Sequence, residues 1–174
     1  METTFQLEFD EIINILFFKD VTNMDEIIKM IADNVNPFVN CAVINSQLIL
    51  NPFQILIAAN KTILDKHKKS LITKSLTTEL LFNLSISENI TASLNQFGYV
   101  SNSNNYLLLV MFESNSVLTQ DVIKNVNGVL SPLSLLSEIQ NLNLIKKIYD
   151  VTEEQLKNCT LLDLIVTKIA CKSI

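Results

Sequence analysis

A near-continuous apolar run at residues 12–18, with the sequence IINILFF, constrains the fold more than any other part of the chain. A short run that is rich in Ile and Phe predicts a central strand of a sheet. Residues 106–112 form a second strong strand candidate, and residues 41–44 form a shorter one. Because strands of this kind must bury their apolar side chains, we expect helices to be packed around the sheet.

Helical patterns fill much of the remaining sequence. The predicted helices span residues 24–34, 51–68, 80–84, 87–97, 119–127, 135–149 and 161–172. No internal repeat and no Pro/Gly-rich joint divides the chain. We therefore predict an α/β (α+β) fold with a single domain over residues 1–174. It should contain a small, central, mostly antiparallel sheet flanked by several helices, with a helical C-terminus.

Composition indicates a folded chain without a membrane partner. Hydrophobic residues make up 48% of the 174 residues and charged residues 18%, which is the reverse of the balance in disordered chains. The most apolar stretch, residues 47–59, is interrupted by Asn51 and Pro52 and is too short to cross a bilayer. Acidic residues precede the run at 12–18, where a signal peptide would be basic. We expect the protein in the cytoplasm and the nucleus.

The clearest helix begins at Asn51, a good N-cap, with Pro52 at the first helical position. A helical wheel predicts that its buried face carries Phe53, Leu56, Ala59, Ile63 and Leu64, and that its wet face carries Gln54, Lys61, Asp65, Lys68 and Lys69. Asn60 falls inside the apolar arc. One interpretation is that its amide ties down a neighbouring backbone group, since an unpaired buried polar group is costly.

Charge is distributed unevenly along the chain, although the net charge is −5. Residues 61–74 contain five lysines and one aspartate, so this segment carries 5 − 1 = +4 and the rest carries −9. All 13 basic residues are lysines, so any phosphate contact lacks the bidentate arginine fork. Two interpretations remain open for this segment: a solvated, lysine-rich helix end, or an electrostatic site for an anionic partner.

The last predicted helix is apolar around about two-thirds of its circumference, which exceeds the stripe needed to pack once onto a sheet. Either its own domain buries it on two sides, or one side contacts another chain.

Familiar catalytic motifs cannot be built from these residues. Gly98 and Gly128 are the only glycines, so a P-loop, a GxGxxG fingerprint and a GxSxG elbow are excluded. His67 is the only histidine, and the three cysteines (Cys41, Cys159 and Cys171) lack zinc-ligand spacing. We expect reduced, mostly buried thiols. We predict no metal site, no cofactor and no enzymatic activity, with an enzyme that uses His67 as an alternative.

Several segments resemble the PRPK-binding subunit family of the KEOPS tRNA-modification complex. The matching segments, in order along the chain, are residues 18–23 (FKDVTN), 51–61 (NPFQILIAANK), 76–85 (LTTELLFNLS), 89–98, 145–149 (IKKIY) and 160–165 (TLLDLI). The second and third of these are together the most specific. Residues 114–136 show little likeness. Where relatives often have arginine in the basic segment this chain has lysine, for example at Lys74, which would make RNA binding weaker or more sensitive to salt.

The resemblance implies a non-catalytic subunit with two kinds of partner. It implies binding to a PRPK-type kinase/ATPase through C-terminal helices, within a complex that includes a threonylcarbamoyltransferase subunit. It also implies capture of the 3′ CCA end of ANN-decoding tRNAs, which receive threonylcarbamoyladenosine. The alternative is an allosteric regulator that binds only the kinase.

Candidate site residues follow from combining the resemblance with the two patterns above. The expected RNA-binding residues are Lys61, Lys68, Lys69, Lys74, Asn60 and Asn83. The expected kinase-binding residues are Leu161, Leu164, Ile165, Lys168 and Ile169. A charge at Ile165 or Ile169 is expected to disrupt kinase binding while leaving the fold intact.

Overall fold

The central element of the fold is the second strand, which is paired along both edges. A computed structural model describes residues 3–99, 105–112 and 116–172. The strands are β1 (Thr3–Gln6), β2 (Ile12–Lys19), β3 (Cys41–Ile44), β4 (Leu107–Met111) and β5 (Val129–Ser131). They form one sheet in the order β1-β2-β4-β3, and every pair is antiparallel. β1 and β5 pair with successive parts of β2 and so lie end to end along one of its edges.

Helices cover both faces of this sheet. They are α1 (Met24–Ala32), α2 (Pro52–Lys68), α3 (Leu76–Leu84), α4 (Ile90–Phe97), α5 (Ser116–Asn125), α6 (Leu136–Ile139), α7 (Leu142–Ile148) and α8 (Leu161–Ala170). Short 3₁₀ turns lie at Glu8–Asp10, Ser46–Leu48, Leu133–Leu135 and Gln155–Lys157. The predicted α+β fold, with its antiparallel sheet and helical C-terminus, is confirmed. None of the helices in the described ranges is long and apolar enough to cross a membrane.

Alternation along β2 divides the core into two clusters. Ile13, Ile15 and Phe17 face one way and pack with side chains from α2, α3 and α6 to α8. Leu16 and Phe18 face the other way and pack beneath α1 and α5. Both sides of the strand are buried, which explains why its sequence is apolar at almost every position rather than at every second one.

The strand predictions are accurate where the apolar signal is strong. Residues 12–18, 41–44 and 106–112 match β2, β3 and β4 to within one residue at each end. β1 and β5 were not predicted from the sequence, because each is short and lacks a continuous apolar run.

The predicted helix over residues 135–149 is wrong as a single element. Gln140 adopts an extended backbone conformation after α6, and the Asn141 side chain then caps α7 by accepting a hydrogen bond from the Leu144 N–H. Asn141 therefore starts a new helix within what the sequence presents as one apolar pattern.

The predicted faces of α2 are wrong in its first turn, although Ala59 and Ile63 are buried and Lys68 is exposed as expected. Gln54, expected on the wet face, is fully buried, while Phe53, expected in the core, is 46% exposed. Gln54 donates to the Leu48 carbonyl (3.2 Å) and to the Tyr149 hydroxyl (2.8 Å), and it accepts from the Leu50 N–H (3.0 Å). Because these bonds pair both polar atoms of the Gln54 amide, its burial leaves no polar group without a partner. The face of α2 that carries Gln54 can therefore point into the core.

Tyr149 completes the buried network. Its hydroxyl donates to the Leu84 carbonyl at 2.5 Å, and its ring packs edge-on against Phe97. Burial raises the pKa of Tyr149 well above its usual range, so the hydroxyl remains a donor at any ordinary pH. The network therefore links the start of α2 to the ends of α3 and α7.

The expectation of mostly buried thiols is corrected. Cys41 is buried at the start of β3, but Cys159 and Cys171 are exposed on loop and helix-end positions. None of the three, all of which lie in the described ranges, forms a disulfide bond.

We predict that Gln54→Leu lowers the free energy of unfolding by about 1–3 kcal/mol, because the Leu50 N–H and the Leu48 carbonyl lose their buried partner. Urea denaturation measures this change. Gln120→Leu, on the exposed side of α5, is the matched control and should change stability by less than about 0.5 kcal/mol. Equal effects of the two substitutions would contradict the assigned role of the network.

Candidate binding surface on α2 and α8

An open groove runs between α2 and the end of α8, which we call the α2–α8 groove. Its volume is about 330 Å³. The lining residues are Ile57, Asn60, Lys61, Leu64, Asp65, Lys68 and Ala170. Three of the predicted RNA-binding residues thus lie against the predicted kinase-binding helix. The groove combines apolar side chains with two lysines and one carboxylate, that of Asp65.

Helical spacing explains which side chains of α2 reach the groove. Ile57 and Leu64 are seven residues apart, as are Lys61 and Lys68, so each pair shares one face of the helix. The Asn60 side chain accepts a hydrogen bond from the Glu8 N–H at 3.0 Å. This contact fits the interpretation of Asn60 as an amide that ties down backbone, and it fixes the N-terminal segment against α2.

Lys69 and Lys74 lie beyond the end of α2, and both are exposed. Lys69 caps the helix in a left-handed conformation with φ 57°. The following loop is held by the fully buried carboxylate of Glu79, which accepts from the Ile72 N–H (3.2 Å), the Thr73 N–H (2.6 Å) and the Thr73 hydroxyl (2.6 Å). Glu79 therefore positions the segment that carries Lys74.

Glu79 is a positioning residue that the sequence did not single out. An acidic residue in the first turn of a helix has an ordinary explanation in the helix dipole, so its pattern gives no further signal. The Ser75 capping box with Thr78 begins the helix one turn earlier than predicted, and Glu79 lies buried in its first turn.

Asn83 does not reach the surface, which corrects its assignment as an RNA contact. Its side chain is 1% exposed, and its amide donates to the Thr62 hydroxyl at 3.1 Å. Thr62 in turn donates to the Ala58 carbonyl. Asn83 therefore joins α3 to α2 and is not available to a ligand.

The kinase-binding assignment also needs correction at two positions of α8. Ile165 and Ile169 are fully buried in the core of this chain, so they cannot form a contact face. A charge at either position is expected to destabilise the fold itself rather than leave it intact. Leu161 and Leu164 are half-buried, and Leu161 packs against the same core.

Two lysines at the end of α8 are held by carbonyl groups. Lys168, a predicted kinase contact, donates to the Asp150 carbonyl at 2.9 Å. Lys172 is almost buried, donates to the Phe82 carbonyl, and lies 3.3 Å from the centroid of the Phe82 ring. Burial lowers the pKa of Lys172 to about 8, although the nearby Glu79 charge opposes the shift.

The accessible apolar side of α8 is a stripe of Leu162, Val166 and Ala170. These residues are spaced four apart and so share one face, and Ala170 places that face at the α2–α8 groove. Leu162 and Val166 are only half-buried. The broad apolar surface that the sequence predicts for this helix therefore has two parts. Ile165 and Ile169 belong to the core, and Ala170 lies at the groove.

His67 lies on open surface at the last turn of α2. Its ring stacks on Phe9 with a centroid distance of 3.9 Å, and its Nε2 atom lies 3.7 Å from a Glu11 carboxylate oxygen. The enzyme alternative required a pocket around His67, and the α2–α8 groove does not include this residue. Among the described residues, no group of three or more His, Cys, Asp or Glu side chains could hold a metal.

The geometry therefore describes an α+β module with an open groove that is partly apolar and partly charged. Comparison with known proteins assigns this module to a family. Residues 18–173 match the family described as kinase binding protein CGI-121. The chain belongs to this family.

Individual relatives agree with the family assignment. The chain is similar to the EKC/KEOPS complex subunit TPRKB of Danio rerio, with 35% identity over 161 residues, covering 91% of this chain and 90% of that protein. It is similar to the EKC/KEOPS complex subunit CGI121 of Yarrowia lipolytica, with 28% identity over 82% of this chain and 81% of that protein. A Kluyveromyces lactis subunit of the same name is 28% identical over 70% of this chain and 74% of its own length.

We predict that Glu79→Gln speeds hydrogen exchange at the Ile72 and Thr73 amides by at least about tenfold, since a hydrogen bond to a charged group contributes about 1.5–3 kcal/mol. Native-state exchange measures this directly. The amides of β2 should keep their protection, which separates local loosening from global unfolding. The control, Glu138→Gln on exposed α6, should leave both amides unchanged.

Proposed function

We propose that this chain is a non-catalytic subunit of a KEOPS-type complex that binds a PRPK-type kinase/ATPase and helps recruit tRNA. The tRNA would be an ANN-decoding tRNA, held near its 3′ CCA end for threonylcarbamoyladenosine modification by the threonylcarbamoyltransferase subunit. The observation that carries the proposal is the α2–α8 groove, where apolar side chains of two helices meet the half-buried Lys61 and the exposed Lys68. The kinase partner in this proposal is supported by the name of the family, and membership in a KEOPS-type complex is supported by the names of the relatives.

The kinase is the proposed occupant of the apolar side of the groove. Ala170 on α8 lines the groove with Ile57 and Leu64 on α2. Leu162 and Val166 are half-buried on the same face of α8 as Ala170 and extend this apolar surface along the helix. A surface of this kind excludes water when a partner helix or sheet covers it. The proposed kinase contacts on α8 are therefore Leu162, Val166 and Ala170 instead of the buried Ile165 and Ile169.

Transfer RNA is the proposed ligand of the lysines at the end of α2. Lys68, Lys69 and Lys74 are exposed, and none of them forms an ion pair with another described residue. Free ammonium groups near a loop held by Glu79 provide a fixed positive surface for phosphates. Lys61 and Lys68 also line the groove, so the two proposed surfaces adjoin.

We predict that Val166→Asp weakens binding to the cognate kinase at least about tenfold, because the complex would bury an unpaired charge. Isothermal titration with the purified kinase measures the dissociation constant, and circular dichroism checks the fold. Thr167→Asp is the matched control, since Thr167 is exposed on the adjacent side of the same helix and should retain affinity. Equal losses for both variants would place the interface elsewhere.

We predict that Lys69→Gln combined with Lys74→Gln weakens tRNA binding and makes the slope of log Kobs against log salt shallower by about 1.5, for two lost phosphate contacts. The double variant Lys29→Gln with Lys124→Gln removes the same charge from α1 and α5, on the opposite face of the sheet, and should leave the slope unchanged. Filter binding over a salt series measures both.

Filter binding also separates tRNA recruitment from regulation of the kinase alone, when the kinase complex is compared with and without this subunit. If the kinase complex binds tRNA equally well with and without this subunit, the chain is a regulator of the kinase alone. If the Lys29/Lys124 control retains tRNA binding and the Lys69/Lys74 variant loses it, RNA recruitment is part of the role of this chain.

A further inference from the structure

The turn at Glu8–Asp10 presents an aromatic ring to solvent in an unusual backbone conformation. Phe9 has φ 58° and ψ 30°, and Asp10 follows with φ 57°. Two successive side-chain-bearing residues in the left-handed region are unfavourable, and a bulky aromatic residue there is rare. The Phe9 side chain is 54% exposed, so burial in the core does not compensate for this conformation.

Hydrogen bonds from neighbouring elements hold the turn in place. The Leu7 N–H donates to the Glu11 carbonyl (2.7 Å), the Glu8 N–H donates to the Asn60 side chain (3.0 Å), and the Gln6 amide donates to the Asp10 carboxylate (2.8 Å). Strained conformations that the surroundings maintain in this way are concentrated at functional sites.

The ring of Phe9 is stacked on His67 at the end of α2. Their centroids are 3.9 Å apart and their planes differ by 20°, so His67 covers one face of Phe9. The exposure of Phe9 leaves the other face to solvent. The pair is therefore a rigid aromatic surface with one open side.

Charges of both signs surround this surface, and the exposed lysines lie on the side of α2. His67 lies between Lys66 and the exposed Lys68 and Lys69. Glu11 is paired with Lys66 at 2.5 Å, while Asp10 accepts from the neutral Gln6 amide and keeps its charge. The exposed Glu8 also flanks Phe9, so the phosphates of a ligand would lie toward Lys68 and Lys69 rather than over the turn.

We propose that Phe9, supported by His67, is a stacking platform for an unpaired nucleobase at the single-stranded end of an RNA whose phosphates bind Lys68 and Lys69. The inference rests on the proposed RNA function and adds a base-contacting residue to it. Single-stranded ligands are typically held by a cationic track and an aromatic face together, and this surface combines the two. A stacked base would also explain why the turn keeps an aromatic residue exposed.

The test uses the full chain and a tRNA whose 3′-terminal adenine is replaced by 2-aminopurine. Binding of the unaltered chain should quench the probe, because stacking on an aromatic ring quenches its fluorescence. Phe9→Ala should abolish the quenching and weaken affinity about 5- to 150-fold, the range expected for one stacked base. Phe9→Trp should retain both quenching and affinity, because it keeps an aromatic face. Phe9→Leu keeps apolar bulk without an aromatic face and should lose both.

Phe53→Ala is the matched control, because Phe53 is a similarly exposed phenylalanine at the opposite end of α2. It should leave quenching and affinity unchanged, and circular dichroism should be native for every variant.

The outcomes distinguish this inference from the proposed function. Absence of tRNA binding by the unaltered chain and by its kinase complex would overturn both. Binding that depends on Lys69 and Lys74 but is unchanged in Phe9→Ala would overturn the stacking platform alone. Loss of kinase affinity in Phe9→Ala, with tRNA binding intact, would identify Phe9 as a protein contact and would also overturn the platform.

Discussion

The buried hydrogen bonds of Gln54 determine how the rest of this structure presents its surface. They join the residues before α2 to Tyr149 at the end of α7, and Tyr149 continues the connection to the end of α3. Because Gln54 must face inward, the rotation of α2 about its axis is fixed. That rotation directs Ile57, Lys61 and Lys68 into the groove and leaves Phe53 exposed.

Polar side chains of α3 have an equally structural role. Glu79 holds the loop before its own helix, and Asn83 joins α3 to α2 through Thr62. Lys172, at the end of α8, reaches the last turn of α3 at the Phe82 carbonyl. α3 therefore connects the lysine-bearing loop to both helices of the groove, and the site depends on buried groups that contact no partner themselves.

Prediction from the sequence succeeded where a single physical signal dominated. The runs at β2, β3 and β4 and the Asn51-Pro52 start of α2 specify their elements locally. Prediction failed where tertiary hydrogen bonds decide the outcome. Gln54 and Asn83 look like surface amides until their partners, distant in sequence, are known. The lysines of residues 61–74 remain a predicted site, and the burial of Ile165 and Ile169 could not be separated from the apolar character of their neighbours. Phe9 gave no signal, since the hydrogen bonds that hold its turn include one to Asn60, which is distant in sequence.

The pairing of β2 also bears on how the chain is made. β2 ends at Lys19, but β4, which covers one of its edges, begins at Leu107, and β5, which shares the other edge with β1, begins at Val129. As the chain leaves the ribosome, the apolar IINILFF segment is synthesised long before its main partners. During that interval β1 alone can pair with it, over its first half. Such non-local pairing makes folding slow and leaves an apolar strand edge open to other chains. Nascent copies of this protein should therefore depend on chaperones until residues 129–131 have emerged.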